Sequence, residues 1–204
     1  MRIGFFGTGN VAGALAGRWA AAGHDVVLGS RHPEERAKPG RAVTGLAEAA
    51  GHGEVLVNAT PGDASLDLLR RVGAPALEGK VLIDVGIGFT EDMALAHPVV
   101  SLGEEIQEAF PATYVVKTLA TMTASVMADP GGLRSPGNVF LSGDDAGAKS
   151  TAGRLLNDLG WPDAAQLDLG GIATARGQEH YALLFLGVAG ALGTHAFNIS
   201  VVTG

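Results

Sequence analysis

The sequence predicts an α/β protein with a doubly wound, mostly parallel sheet and a short helical extension at its C-terminus. Three observations predict it. Short apolar runs alternate with helical segments over residues 1–170. The runs are continuous, as strands covered on both faces should be. The first of them breaks into a glycine-rich turn that opens a helix, which is the context a dinucleotide site requires.

Residues 3–6 form the first strand, and Gly7-Thr8-Gly9-Asn10-Val11-Ala12-Gly13 forms the turn. Gly7 allows the tight bend, and Gly9 has no side chain to hold a pyrophosphate away from the backbone. Ala12 is small enough for the helix to pack closely on the strand. The amides around Asn10 and Val11 stand at the positive end of that helix, where roughly half a unit charge favours a phosphate. The alanine-rich helix runs to Ala22, Gly23 stops it, and residues 26–28 are the second strand. This is the Rossmann-type unit.

In an NAD site an Asp or Glu is expected about twenty residues after the glycines, on the ribose 2′-hydroxyl. Here that place holds Gly29-Ser30-Arg31, with Arg36 and Lys38 nearby and Glu34 and Glu35 beyond Pro33. A hydroxyl and a guanidinium are good phosphate partners. Charged hydrogen bonds of about 1.5–3 kcal/mol each give roughly a tenfold to hundredfold preference for NADP over NAD.

Further along, residues 44–50 read as a short helix capped by Thr44, and residues 55–57 as a strand ending in Asn58-Ala59-Thr60-Pro61. Residues 65–72 are a helix with Leu66, Leu69 and Val72 on one face. Strands follow at 81–85 and 114–117, with a helix near 104–109 between them. Ligands bind beyond the carboxyl ends of such strands, which puts Thr8, Ser30, Ala59, Thr60 and Gly86 along one rim. The second half continues with a strand at 139–141, a helix at 146–159 behind Asp144-Asp145, and a short strand at 166–169. From Thr174 to the end the pattern is helical. The division expected is a dinucleotide-binding domain over 1–170 and a helical segment over 171–204 for the acceptor pocket and dimerisation.

Composition excludes several classes. Of 204 residues, 47% are hydrophobic and 17% charged, which suits a globular protein with a proper core. A net charge of −7 argues against nucleic acid or an anionic membrane as partner. The absence of cysteine removes disulfides, thiolate catalysis and cysteine-held metal. Met1-Arg2 leads directly into the first strand without a signal peptide, so a cytoplasmic location is expected. Between Tyr181 and Gly204 no Asp, Glu, Lys or Arg occurs. His195 and Asn198 interrupt that stretch and no basic cluster flanks it, so it reads as a helix buried in a homodimer interface rather than a membrane span.

Catalytic candidates are few. His180, beside Glu179 and Tyr181, and Lys117, at the end of its strand, are the proton-donor candidates; the other reading is a helix-start histidine bonded to backbone for His180, and neutralisation of a nearby carboxylate for Lys117. The six histidines show no metal-ligand spacing, and Ser125 and Ser135 have no nearby His base. Met122 could line an apolar cofactor pocket or fill the core. Hydride exchange between two ring cofactors needs stacking and orientation rather than an acid or base. A shortage of catalytic groups fits that chemistry.

The opening GTGNVA, the GHDVVLGSR after it, VVKTLATMTASVMADP from Val115 and FLSGDD from Phe140 together resemble the F420-dependent NADP oxidoreductases. They also resemble the related reductase domain of the six-transmembrane metalloreductases. The resemblance implies that Thr8, Gly9, Asn10 and Val11 hold the pyrophosphate of NADP, and Ser30 and Arg31 its 2′-phosphate. Arg36 stands in for a basic residue the family often places four or five positions later. Residues 119–124, with Ala120, Met122 and Ala124, would lie beside the nicotinamide, where coenzyme F420 or another small-molecule redox acceptor stacks. Where the family commonly carries His or Asn, this sequence has Ala120. The reading is therefore an NADP-dependent oxidoreductase passing a hydride between NADPH and F420. The alternatives are reduction of a flavin or small carbonyl compound, or a non-catalytic NADPH-binding redox sensor.

Overall fold

A computed structural model describes residues 1–204 except 37–39 and 135–136, so Lys38 and Ser135 lie outside the described residues. The chain begins β1 (Arg2–Phe6), α1 (Asn10–Ala21), β2 (Asp25–Ser30), α2 (Pro33–Arg36), β3 (Val43–Gly45) and α3 (Leu46–His52). It continues β4 (Val55–Asn58), α4 (Gly62–Val72), α5 (Ala74–Leu77), β5 (Val81–Asp84), α6 (Leu102–Ala109), β6 (Tyr114–Thr118) and α7 (Ala124–Ala128). It closes with β7 (Val139–Ser142), α8 (Ala146–Leu159), β8 (Gln166–Asp168) and α9 (Ala175–Leu192).

Among the described residues eight strands form one sheet, in the order β3-β2-β1-β4-β5-β6-β7-β8. Only the β6–β7 pair is antiparallel among them. The order reverses direction at β1, whose neighbours are β2 and β4, and ligand crevices of this fold open at such a switch point. Strand residues alternate between two cores. Ile3, Phe5, Val57 and Ile83 pack with Leu15 and Trp19 of α1 and with α8. Phe6, Leu56 and Leu82 face Leu69, Leu77 and Ile106 on the other side. Two covered faces explain why β4 reads as an unbroken apolar run.

Some sequence expectations give way. Thr44 lies in β3 and caps nothing: Val43 pairs with Leu28 at the sheet edge, and the helix starts only at Leu46. A three-residue edge strand is too short to show a period of two, so the helical pattern absorbed it. Residues 193–204 are not helical, because Gly193 adopts φ +66° and ends α9. Leu169 falls outside β8. The helix expected at 104–109 begins earlier, at Leu102, where Ser101 and Glu104 form a reciprocal capping box. No described helix is long and apolar enough to cross a membrane.

Candidate functional site

A groove crosses the carboxyl ends of β2, β1, β4 and β5. Its outer pocket, of about 250 Å³, is lined by Gly7, Thr8, Ser30, Arg31, His32 and Arg36 with Ala59 and Thr60 opposite. Its inner pocket, of about 300 Å³, is lined by Gly9, Asn10, Val11, Val85, Gly86 and Ile87. Gly9, Ala59, Thr60 and Pro61 line both, so the two are continuous.

The glycine turn is shaped for a backbone-bound anion. Gly7 sits at φ +114°, and a Cβ there would stand 2.6 Å from the Ala59 carbonyl oxygen, so no other residue fits. A Cβ at Gly9 would meet nothing within 4 Å, which marks open space against the backbone. Gly9 occupies the N-cap of α1 without a side-chain cap, and no acid lies in the first turn. The first amides of a twelve-residue helix therefore face the groove unsatisfied.

At the outer end the Ser30 hydroxyl accepts the His32 backbone N–H at 3.0 Å. That bond uses a lone pair and leaves the hydroxyl proton to donate outward. Arg31 and Arg36 are exposed beside it. The three groups suit a phosphate monoester far better than a ribose diol.

The inner wall rests on a buried polar chain in which sequence reasoning gave no part to Asn58, Asp84 or Glu179. Thr60 Oγ1 donates to Asn58 Oδ1 at 2.6 Å, and Asn58 Nδ2 donates to Asp84 Oδ1 at 2.8 Å. Asp84 Oδ1 also accepts the Gly86 N–H at 3.1 Å. Lys117 Nζ lies 2.8 Å from both Asp84 Oδ2 and Glu179 Oε1, and it donates to the Gly86 carbonyl. Glu179 accepts the amides of Leu102 and Gly103, at the start of α6. Lys117 is wholly buried. Burial alone would lower its pKa, but Asp84 and Glu179 outweigh that and hold it above the ordinary lysine value. A signal existed for Asp84, an acid closing an apolar strand. Nothing local marked Glu179, whose partners lie 76 and 77 residues away.

Of the residues singled out in the sequence, the structure brings together Gly7, Thr8, Gly9, Asn10, Val11, Ser30, Arg31, Arg36, Ala59 and Thr60. Ala120 and Met122 are buried after β6, and Ala124 opens α7; none lines either pocket. That segment begins at Leu119, which holds φ +60°, a strained value for a leucine. Neither proton-donor candidate lines the groove. Lys117 is locked in its ion pairs, and His180 is exposed on α9 with Nε2 at 3.2 Å from the Pro98 carbonyl.

Comparison with known proteins bears on the family and the fold. A family model described as NADP oxidoreductase, coenzyme F420-dependent, matches residues 2–88. The crystal structure of a candidate F420-dependent NADP reductase from Arthrobacter sp. FB24 is 39% identical, covers 100% of both chains and superposes with a TM-score of 0.91. The metalloreductase STEAP3 of Rattus norvegicus is 34% identical over 191 residues, which are 91% of this chain; the chain spans 37% of that protein's length. An imine reductase from Myxococcus stipitatus in complex with NADP+ has a TM-score of 0.70 at 19% identity, over 95% of this chain and 63% of that one. That last likeness is one of fold.

Proposed function

This chain belongs to the family of NADP oxidoreductases described as coenzyme F420-dependent, and from that premise we propose that it passes a hydride between NADPH and the deazaflavin F420. The observation that carries the reading is the lining of the inner pocket. Among the described residues lining it there is no titratable side chain. Reduction of a carbonyl or imine would call for a proton donor there, whereas transfer between two stacked rings calls for orientation and dryness.

When bound, NADPH supplies the hydride from its nicotinamide ring. The chain's own residues bind and orient. Amides at Asn10 and Val11 hold the pyrophosphate, and the Ser30 hydroxyl with Arg31 and Arg36 holds the 2′-phosphate. The wall at Gly86, fixed from behind by Asp84 and Lys117, orients the ring end. Residues 119–124 and the tail after α9 close the acceptor side, where Thr123 Oγ1 donates to the His195 carbonyl at 3.2 Å.

The acceptor side is completed in a homodimer. Leu183, Leu184, Leu186 and Leu192 of α9 are exposed by 46%, 61%, 37% and 60%, on a helix half that carries no charge. So large an apolar face on a water-soluble fold calls for a partner, and an identical helix is self-complementary to it.

Anaerobic mixing of the protein with NADPH and oxidised F420, or with a flavin, tests the reading. Loss of nicotinamide absorbance with F420 supports it. Tight NADPH binding with turnover on neither acceptor would overturn it and leave a sensor.

A further inference from the structure

The inner pocket has a wall from the end of β4 and another from the end of β5, and one residue past each stands a buried glycine. Pro61 lines the first and is followed by Gly62, which begins α4; Ile87 lines the second and is followed by Gly88. A Cβ at Gly62 would stand 2.2 Å from the Gly88 nitrogen. A Cβ at Gly88 would stand 2.9 Å from Ala96 Cβ and 3.0 Å from the Asp63 nitrogen. Neither glycine has a positive φ, so close contact alone excludes a side chain at both. Across the crossing the Gly62 N–H donates to the Ile87 carbonyl at 3.1 Å. The walls therefore meet backbone against backbone at the rim, as they meet through Asn58 and Asp84 at the base.

A histidine outside the groove pins that rim. Beyond Gly88 the chain turns back: Phe89 bridges Leu95 in antiparallel fashion, and the Ala96 N–H donates to the Gly88 carbonyl at 3.0 Å. The return brings His97 beside the start of α4. Its Nε2 lies 3.4 Å from the Gly62 carbonyl oxygen, and its Nδ1 lies 3.1 Å from Glu105 Oε1 of α6. The side chain is 15% exposed and lines neither pocket.

We infer that His97 is a positioning residue for the nicotinamide end of the groove: it pins the start of α4 to residues 86–88 and so sets the gap between Pro61 and Ile87. This rests on the reading of the groove as an NADPH site. A flat ring is held in one orientation only between walls at a set spacing, and hydride transfer loses rate steeply when the ring is displaced. The glycine crossing leaves no room for the gap to narrow, so loss of the pin can only widen it. Ser30, Arg31 and the first turn of α1 share no hydrogen bond with His97, so the adenosine end is independent of it.

Calorimetric titration with NADPH and with 2′,5′-ADP, which carries the adenosine end alone, tests the inference. His97→Ala should weaken NADPH about fivefold, the effect of one lost hydrogen bond, and leave 2′,5′-ADP within about twofold of wild type. His97→Gln sets an amide nitrogen near the place of Nε2 and should restore most of the affinity. His97→Asn matches only Nδ1 and should not. Gly62→Ala wedges the crossing apart with the histidine intact, and it should split the two ligands in the same way. Unchanged NADPH affinity in His97→Ala, equal losses for both ligands, or recovery by Asn as full as by Gln would each overturn the inference. A wild type that binds neither ligand would overturn the nucleotide reading itself, and turnover on F420 does not enter the measurement.

Discussion

Lys117 Nζ stands 2.8 Å from Glu179 Oε1, and through that pair a strand of the sheet is bonded to the C-terminal helix. The same ammonium neutralises Asp84 and fixes the Gly86 carbonyl behind the groove. One buried cation thus serves both ends of the site. Replacing it with Met keeps the packing length but leaves two carboxylates buried without a counter-charge. Breaking such a set costs about 3–5 kcal/mol. For a chain of this size that is a fall in Tm on the order of 10 °C, read by calorimetry. Because the folded pKa of Lys117 is raised, its contribution is fully present below the ordinary lysine value of 10.5 and is lost only as pH rises through the folded value. An unchanged Tm in Lys117→Met would show that the ion set contributes nothing.

Arg31→Ala should weaken NADPH about tenfold to hundredfold and NADH by less than about twofold. In the proposed site the guanidinium and the Ser30 proton would meet a phosphate that NADH lacks. Calorimetric titration with both nucleotides decides it. Equal losses would remove the 2′-phosphate from this end of the groove.

Much of this was legible in the chain, and the pattern of failure has physical causes. The glycine turn, β1, α1, α8 and the Ser30–Arg31 pair are local features, set by residues within a few positions of one another. Ten of the residues singled out as cofactor-binding line one groove, because the parallel order of β2, β1, β4 and β5 brings their carboxyl ends together. Lys117 read either as a proton donor or as a neutraliser of a nearby carboxylate, and the structure gives it the second place. Its partners Asp84 and Glu179 come from 33 and 62 positions away, and only the fold reveals the lock. The tail after Gly193 read as helix because an uncharged stretch gives no sign of where it turns back.

Acid should loosen the junction of α6 and α9 selectively. Arg176 grips Glu104 with two hydrogen bonds, at 2.7 and 2.6 Å, and holds its carboxyl at about 2. A depressed folded pKa stabilises above the unfolded value of 4.5 and loses that stabilisation as pH falls toward about 2. Arg176 is half exposed, so solvent screening keeps the contribution of the pair small. Urea midpoints of wild type and Arg176→Gln should therefore differ above pH 4.5 and converge toward pH 2. A gap that stays constant across that range would refute the linkage.

Leu184→Glu should separate the proposed dimer. Leu184 is 61% exposed in the single chain, so the carboxylate costs the monomer almost nothing. In a helix-to-helix interface it would be buried without a partner, a loss of several kcal/mol. Sedimentation velocity should show wild type at twice the monomer mass and the variant at the monomer mass. A wild-type monomer at micromolar concentration would sink the dimer.

The buried chain behind the groove predicts a loss confined to one end of the nucleotide. Asp84→Asn is nearly isosteric, but its amide would turn a donor toward either Lys117 Nζ or the pair formed by Gly86 N–H and Asn58 Nδ2. Turned toward Gly86, the amide removes the acceptor of its N–H; turned toward Lys117, it repels the ammonium that holds the Gly86 carbonyl, and in both cases the inner wall shifts. Ser30, Arg31 and the first turn of α1 share no hydrogen bond with Asp84, so the adenosine end should not register the change. NADPH affinity is expected to fall about tenfold, the worth of one charge-assisted hydrogen bond. The fragment 2′,5′-ADP, which reaches only the outer pocket, should bind within about twofold of wild type. Parallel losses for both ligands would mean that the substitution loosened the whole sheet, and the wall would then have no separate part in holding the nicotinamide.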